Sequence, residues 1–284
     1  MFKLGIITDE VSQDFEKALQ FAKKYNLECV ELRSAWERNP FQYTGDDFNK
    51  IAELLQKYSM PLVCISSPFY KCSFGDVKTR KEHMDGLKRL ISYKDLLGFK
   101  MIRCFDFIRE DVVTLDDIKE AFTEPIELCE KAGITLVLES EPSANSYNCK
   151  ATAETVNYIN SPVLRALYEP GNNIYSDTDE LPFPDGYNAL KDVFCHVHIK
   201  DAIRQNGKTV GVAIGSGVVD YEGMIKEFIS SGFDGAVVFE PHYKPCGMSE
   251  ELLRNPQGSA ISAFGDIASR ECILALNEII EKVK

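Results

Sequence analysis

The stretch Phe194-Cys195-His196-Val197-His198-Ile199-Lys200-Asp201 alternates apolar and polar residues and ends on charge. With the period of two of an extended strand, Val197 and Ile199 share one face, and His196, His198 and Lys200 share the other. The pattern recurs in Leu136-Val137-Leu138-Glu139-Ser140-Glu141, in Tyr168-Glu169-Pro170 and in Phe239-Glu240-Pro241-His242. Working outward, further apolar runs complete a set of eight, with strands expected near 3–9, 29–34, 62–68, 101–107, 135–141, 164–170, 194–200 and 236–242. Most are apolar to near their last residues, as parallel strands covered on both faces require.

The segments between them carry helical period. Residues 14–25 place Phe15, Ala18, Leu19 and Ala22 on one face, and 48–58 do the same with Phe48, Ile51, Leu54 and Leu55. The stretch 83–97 sets Met84, Leu87, Leu90 and Ile91 on an apolar stripe, and 221–229 and 261–283 repeat the pattern. Pro125 falls inside a helical stretch and is expected to kink it. Strands alternating with helices argue for βαβ units and a parallel sheet. Eight units favour an α/β fold of the single (β/α)8 TIM-barrel type, spanning 1–284 as one domain, over an open doubly wound sheet. Periodicity alone does not show closure. The stretches 179–186 and 244–258 read as long loops after the sixth and eighth strands, on the face where barrels carry their sites.

The 284 residues suffice for one barrel-sized core, and 44% hydrophobic with 27% charged residues is ordinary for a globular protein. A formal net charge of −12 opposes a nucleic-acid partner, which needs a basic footprint. No apolar run reaches the length of about 20 residues that spans a membrane. The first residues pass directly into strand-like sequence, so a cytoplasmic location is expected. The nine cysteines show no CxxC spacing and are expected to be free thiols in a reducing compartment.

Consecutive strands that end in Glu or His are hard to ascribe to packing, because a buried charge costs several kcal/mol unless paired or bound to metal. Strand parity converges Glu139, Glu169, His198 and Glu240 at the barrel mouth. Pro170 and Pro241 bias the glutamates before them toward extended backbone. Three carboxylates and an imidazole crowded together repel one another without a cation. One divalent metal resolves this, with oxygen-rich ligation suiting Mn²⁺, Mg²⁺ or Co²⁺ and tolerable for Zn²⁺. The competing arrangement is a salt-bridge network with Arg33, Arg103, Lys200 and Arg204.

The series LVLE, YEPGN, HVHIKD, IGSGVVDY and VVFEPH resembles the xylose-isomerase-like barrel superfamily of sugar phosphate isomerases and epimerases. Its members include ketose 3-epimerases, hydroxypyruvate isomerase, inosose dehydratase and endonuclease IV. The resemblance covers essentially the whole chain and is strongest from Leu136 to His242. It implies metal ligands at Glu139, His198 and Glu240, with Glu169 standing where the family usually has aspartate. Asn172 stands where several epimerases have histidine. It further implies that Glu139 and Glu240 act as base and acid on opposite sides of a substrate. The implied activity is a metal-dependent isomerase or epimerase of a sugar, sugar phosphate or sugar acid, removing a proton next to a carbonyl through a metal-stabilised enediolate. The rivals are an inosose-type dehydratase, a Schiff-base lyase using Lys200, a repair nuclease disfavoured by only four histidines, and a non-catalytic barrel subunit with a vestigial site.

Arg33, Asn172, Lys200, Arg204 and His242 are the candidate substrate contacts, and a homo-oligomer is allowed for. Gly215-Ser216-Gly217 could cradle a phosphate, but Asp220 follows as a helix cap, which favours a turn. His83 reads as a surface or packing residue, and His196 as a residue one layer below His198. Trp36 and Phe69 could wall a sugar ring or simply pack locally.

Overall fold

A computed structural model describes residues 2–243 and 258–284. Eight of its strands are β1 (Lys3–Ile7), β2 (Cys29–Leu32), β3 (Leu62–Phe69), β4 (Met101–Cys104), β5 (Thr135–Glu139), β6 (Leu164–Tyr168), β7 (Phe194–Ile199) and, after the hairpin of β8 (Asp201–Gln205) and β9 (Lys208–Val212), β10 (Ala236–Phe239). The eight are parallel and close into a barrel in the order β1-β10-β7-β6-β5-β4-β3-β2. The seam joins β1 to β10, with Lys3 opposite Ala236 and Ile6 opposite Phe239. Closure, which periodicity left open, decides for the barrel and against the open sheet.

Strand parity sorts the side chains into two compartments. Ile6, Val30, Leu32, Ile65, Leu136, Leu138, Val197, Ile199, Val237 and Phe239 belong to the large core between barrel and helices. The alternate residues form small separate apolar clusters: Ile7, Cys29, Ala236 and Val238 in one, and Cys64, Val137 and Leu167 in the other. Two residues further along several of these strands, the same inward face turns polar with Glu31, Ser66, Glu139, Glu169, His198 and Glu240, all buried. The barrel is therefore apolar at its floor and ionisable at its mouth.

Local chemistry fixes the helices. Thr44 and Asp47 form a reciprocal capping box on Gly45–Lys57, and Thr114 and Asp117 form another on Leu115–Ala132. The second of these helices runs unbroken through Pro125. Proline removes the hydrogen bond that the Ala121 carbonyl would accept, and the Tyr70 hydroxyl donates to that carbonyl instead, at 3.2 Å. The expected helix over 261–283 is split into Gly258–Ser262 and Gly265–Val283 by Phe264, whose φ of 55° is left-handed. The expected loop over 179–186 carries a short turn, Pro182–Gly186. The other expected loop, apart from Gly258, lies outside the described residues, as does Cys246; the remaining eight cysteines are free. No helix among the described residues is long and apolar enough to cross a membrane.

The β8–β9 hairpin was not anticipated. Its turn is Asn206-Gly207, with φ of 51° and 74°, the dipeptide that adopts a type I′ turn at least cost. The hairpin leans on the mouth of the barrel: a Cβ on Gly211 would lie 2.0 Å from the His242 carbonyl oxygen, so only glycine permits this approach.

His83 is a packing residue, 9% exposed, and its Nδ1 accepts the Tyr70 backbone N–H at 2.9 Å. An accepting nitrogen is unprotonated, and burial pushes the ring down to about 4. A histidine held below its unfolded value of about 6.5 contributes stability that is fully present above that pH and is lost as pH falls toward 4. The urea midpoint should therefore drop between pH 6.5 and 4, with His83 supplying up to about 3 kcal/mol. His83→Gln, which can accept the same N–H without titrating, should flatten that slope. Equal slopes in the two proteins would contradict the assignment.

Candidate metal centre at the barrel mouth

Four strands deliver the centre. Glu139 ends β5, and His198 lies one residue before the end of β7. Glu169 follows β6 and caps Pro170–Tyr175, its Oε1 accepting the Gly171 N–H at 2.9 Å. Glu240 follows β10, its N–H donating to the Ile199 carbonyl at 3.0 Å. One ligand atom from each of Glu139, Glu169, His198 and Glu240 lies within 4.8 Å of all the others. Gly171 makes room for this packing, since a Cβ there would stand 2.4 Å from Lys200 Cγ and 3.0 Å from Glu169 Oε1.

Three of the four cations of the competing salt-bridge network are also here. Lys200 Nζ lies 2.6 Å from Glu240 Oε2 and 3.5 Å from Glu169 Oε2. Arg33 donates to Glu240 Oε1 at 2.7 Å, to Glu10 Oε1 at 2.5 Å and to Asp9 at 3.1 and 3.2 Å. Arg103 Nη1 lies 3.2 Å from Glu139 Oε2. These pairs do not satisfy everything: His198 Nδ1 and Glu169 Oε2 are buried with no hydrogen-bond partner. A buried polar atom without a hydrogen bond is costly, and here two such atoms face the same cluster, Glu169 Oε2 relieved only by the Lys200 ion pair at 3.5 Å. The residues present thus fit a divalent ion, with three carboxylates and one imidazole as its donor set.

Electrostatics follow from geometry. Burial alone would raise Glu240, but Lys200 and His242 hold it well below the usual carboxylate range. Burial raises Glu169, with Lys200 opposing and Glu240 and Glu139 adding to the shift. Lys200 is nearer Glu240, so Glu240 is the carboxylate it keeps ionised. Burial works against the Lys200 charge, yet Glu169 and Glu240 raise it above the ordinary lysine value. A lysine so firmly protonated is a poor nucleophile, which weighs against the Schiff-base reading. Burial opposes protonation of His198, but Glu31 and Glu240 raise it to about 8.

Four of the five expected substrate contacts line the pocket above this cluster: Arg33, Asn172, Lys200 and His242. Asn172 donates to the Ser140 carbonyl at 2.8 Å and to Glu139 Oε1 at 3.3 Å, so it orients that carboxylate. His242 Nε2 lies 3.4 Å from Glu240 Oε1 and 3.5 Å from Glu10 Oε1.

The fifth is not brought into this pocket. Arg204 does not line this pocket; it lies on β8 and donates to the carbonyls of Ile174 and Ser176, at 3.3 and 2.8 Å. Trp36 and Phe69 do not line the pocket either. Phe69 is fully buried and stacked on Tyr70, and Trp36 packs edge-on against Phe15. The Gly215-Ser216-Gly217 turn is closed to phosphate, because the Gly215 and Gly217 amides donate to Asp201 at 3.0 and 2.9 Å. Asp220 caps the next helix by accepting the Gly223 N–H.

Sequence reasoning passed over Asp9, Glu10 and Glu31. Asp9 and Glu10 lie in the short turn of helix Thr8–Val11 just after β1, where a charged pair near a strand end was a usable signal. Glu31 shares strand parity with Arg33, which was enough to point it inward.

Residues 19–260 match the family model described as xylose isomerase-like TIM barrel. No curated protein matches the chain in sequence. Similar solved structures include an L-ribulose 3-epimerase, 12% identical over 100% of this chain and 96% of that one, with a TM-score of 0.75. Another is the IOLI protein with a binding zinc atom, 17% identical over 100% and 99%, with a TM-score of 0.76. A third is a D-allulose 3-epimerase from Methylomonas sp. in complex with D-allulose, 14% identical over 98% and 96%, with a TM-score of 0.72. At these identities the likeness is one of fold.

Proposed function

The chain belongs to the xylose isomerase-like TIM barrel family, and from that premise we propose that it is a divalent-metal-dependent isomerase or epimerase of a small carbohydrate. The observation that carries the reading is the convergence of Glu139, Glu169, His198 and Glu240, with His198 Nδ1 and Glu169 Oε2 buried and without hydrogen-bond partners. Sugar epimerases among the structures that share the fold support the substrate class.

When bound, a divalent ion supplies Lewis acidity, polarising substrate oxygens so that the adjacent C–H becomes easier to ionise. The chain's own residues do the rest. Glu139 and Glu240, on strands separated by β6 and β7 in the barrel order, flank the space between them and take and return the proton as base and acid. Lys200, Arg33 and His242 border Glu240, and Asn172 and Arg103 hold Glu139. The closed floor of the barrel keeps water from approaching from below.

Elemental analysis of the protein loaded with Mn²⁺ or Zn²⁺ and then desalted should give one ion per chain. Glu169→Gln and His198→Gln should each lower that occupancy at limiting metal. Unchanged occupancy in both variants would place the metal elsewhere and overturn the proposal.

A further inference from the structure

Glu31 lies one layer beneath the proposed ligands and is fully buried. Its carboxylate receives three side chains. His196 Nε2 lies 2.7 Å from Oε2, His198 Nε2 lies 3.1 Å from both oxygens, and the Ser66 hydroxyl donates to Oε1. A hydroxyl and two imidazole nitrogens thus converge on its two oxygens, the surroundings of a carboxylate anion. An anion there accepts only, so each imidazole must present an N–H to it.

That requirement has a consequence on the other side of the His198 ring. Its Nδ1 faces Glu240 Oε2 at 3.9 Å and has no hydrogen-bond partner. With the proton fixed on Nε2, the neutral ring exposes its Nδ1 lone pair toward Glu139, Glu169 and Glu240. We propose that Glu31 is the positioning residue of this centre, fixing the His198 ring and its tautomer so that Nδ1 is the donor offered to a divalent ion. The inference rests on the metal-site reading above and adds a residue that does not itself touch the ion. Outer carboxylates of this kind typically change metal affinity 10–100-fold when removed. His196 is held by the same carboxylate and buttresses it from below.

The test has two arms. Metal-free protein titrated with Zn²⁺ against a competing chromogenic chelator should bind 10–100-fold more weakly in the Glu31→Gln variant than in wild type. Glu169→Gln and His198→Gln report on the site itself. If both bind Zn²⁺ as tightly as wild type, the metal-site reading fails. If they weaken while Glu31→Gln stays within about twofold of wild type, the role of Glu31 alone is overturned. The second arm needs no metal and no folded Glu31 variant. In ¹⁵N spectra of metal-free wild type, recorded at a pH at which the ring is observed to be neutral, the His198 Nδ1 should be unprotonated and Nε2 should carry the proton. His198→Gln identifies the resonances by their loss. A proton on Nδ1 of the wild-type ring would overturn the inference whatever the affinities are.

Discussion

Replacing Glu240 with glutamine is expected to lower turnover by at least about 10²-fold at saturating metal, the loss usual when a positioned acid or base is removed. Glutamine keeps the size and one ligating oxygen but cannot accept the proton. The fold should survive, because Arg33 keeps Asp9 and Glu10 as partners and Lys200 keeps Glu169. The cations around Glu240 hold it ionised and so ready to accept, at some cost in basicity; a divalent ion held by Glu139, Glu169, His198 and Glu240 would offset that cost through its Lewis acidity. Lys200→Met is the control. It should weaken substrate binding yet leave measurable proton exchange, since Lys200 is paired and charged rather than nucleophilic. Wild-type turnover in metal-loaded Glu240→Gln would remove Glu240 from the chemistry, and borohydride trapping of substrate on Lys200 would replace the mechanism.

Removal of the metal by chelation should abolish turnover to background, and readdition of Mn²⁺, Co²⁺ or Mg²⁺ should restore it. A second effect follows from the same charges. Without a divalent ion, the cations that offset Glu139, Glu169 and Glu240 are Arg33, Arg103 and Lys200, and Glu169 Oε2 has only the Lys200 ion pair at 3.5 Å. An ion that binds only the folded state stabilises it by about 2.7 kcal/mol at 100 times its Kd. The denaturation midpoint should therefore rise with metal concentration, and this rise should vanish in His198→Gln. Full activity after exhaustive chelation would leave the centre without its cation and the mechanism without its electrophile.

What could be read from the chain follows a physical division. Strand period fixes the face of each residue, so the inward set Glu139, Glu169, His198 and Glu240 was legible, and so was the outer set with Val197 and Phe239. Parity says nothing about reach beyond a strand's end. Arg204 lies in the hairpin that leans on the barrel mouth, but its guanidinium is taken by the backbone carbonyls of Ile174 and Ser176. The hairpin itself had a local signal in Asn206-Gly207, outweighed by the pull of the larger strand pattern. Glu31 lay in the strand expected near 29–34, but its role depends on the neighbouring imidazoles at 2.7 and 3.1 Å, a relation across 165 and 167 residues that no local pattern carries. Pro125 promised a kink, and the compensating Tyr70 hydroxyl is likewise a contact that only the folded chain brings together.

The central claim is that the barrel moves a proton at carbon, and solvent isotope incorporation tests it most directly. Metal-loaded protein should be incubated in D₂O with ketoses, inososes and hydroxypyruvate, and each carbohydrate examined by mass and NMR for deuterium at carbon. The account predicts incorporation next to the carbonyl of at least one of them, dependent on metal and lost in Glu240→Gln. Product formed without any deuterium at carbon, or exchange that persists unchanged in metal-loaded Glu240→Gln, would contradict it.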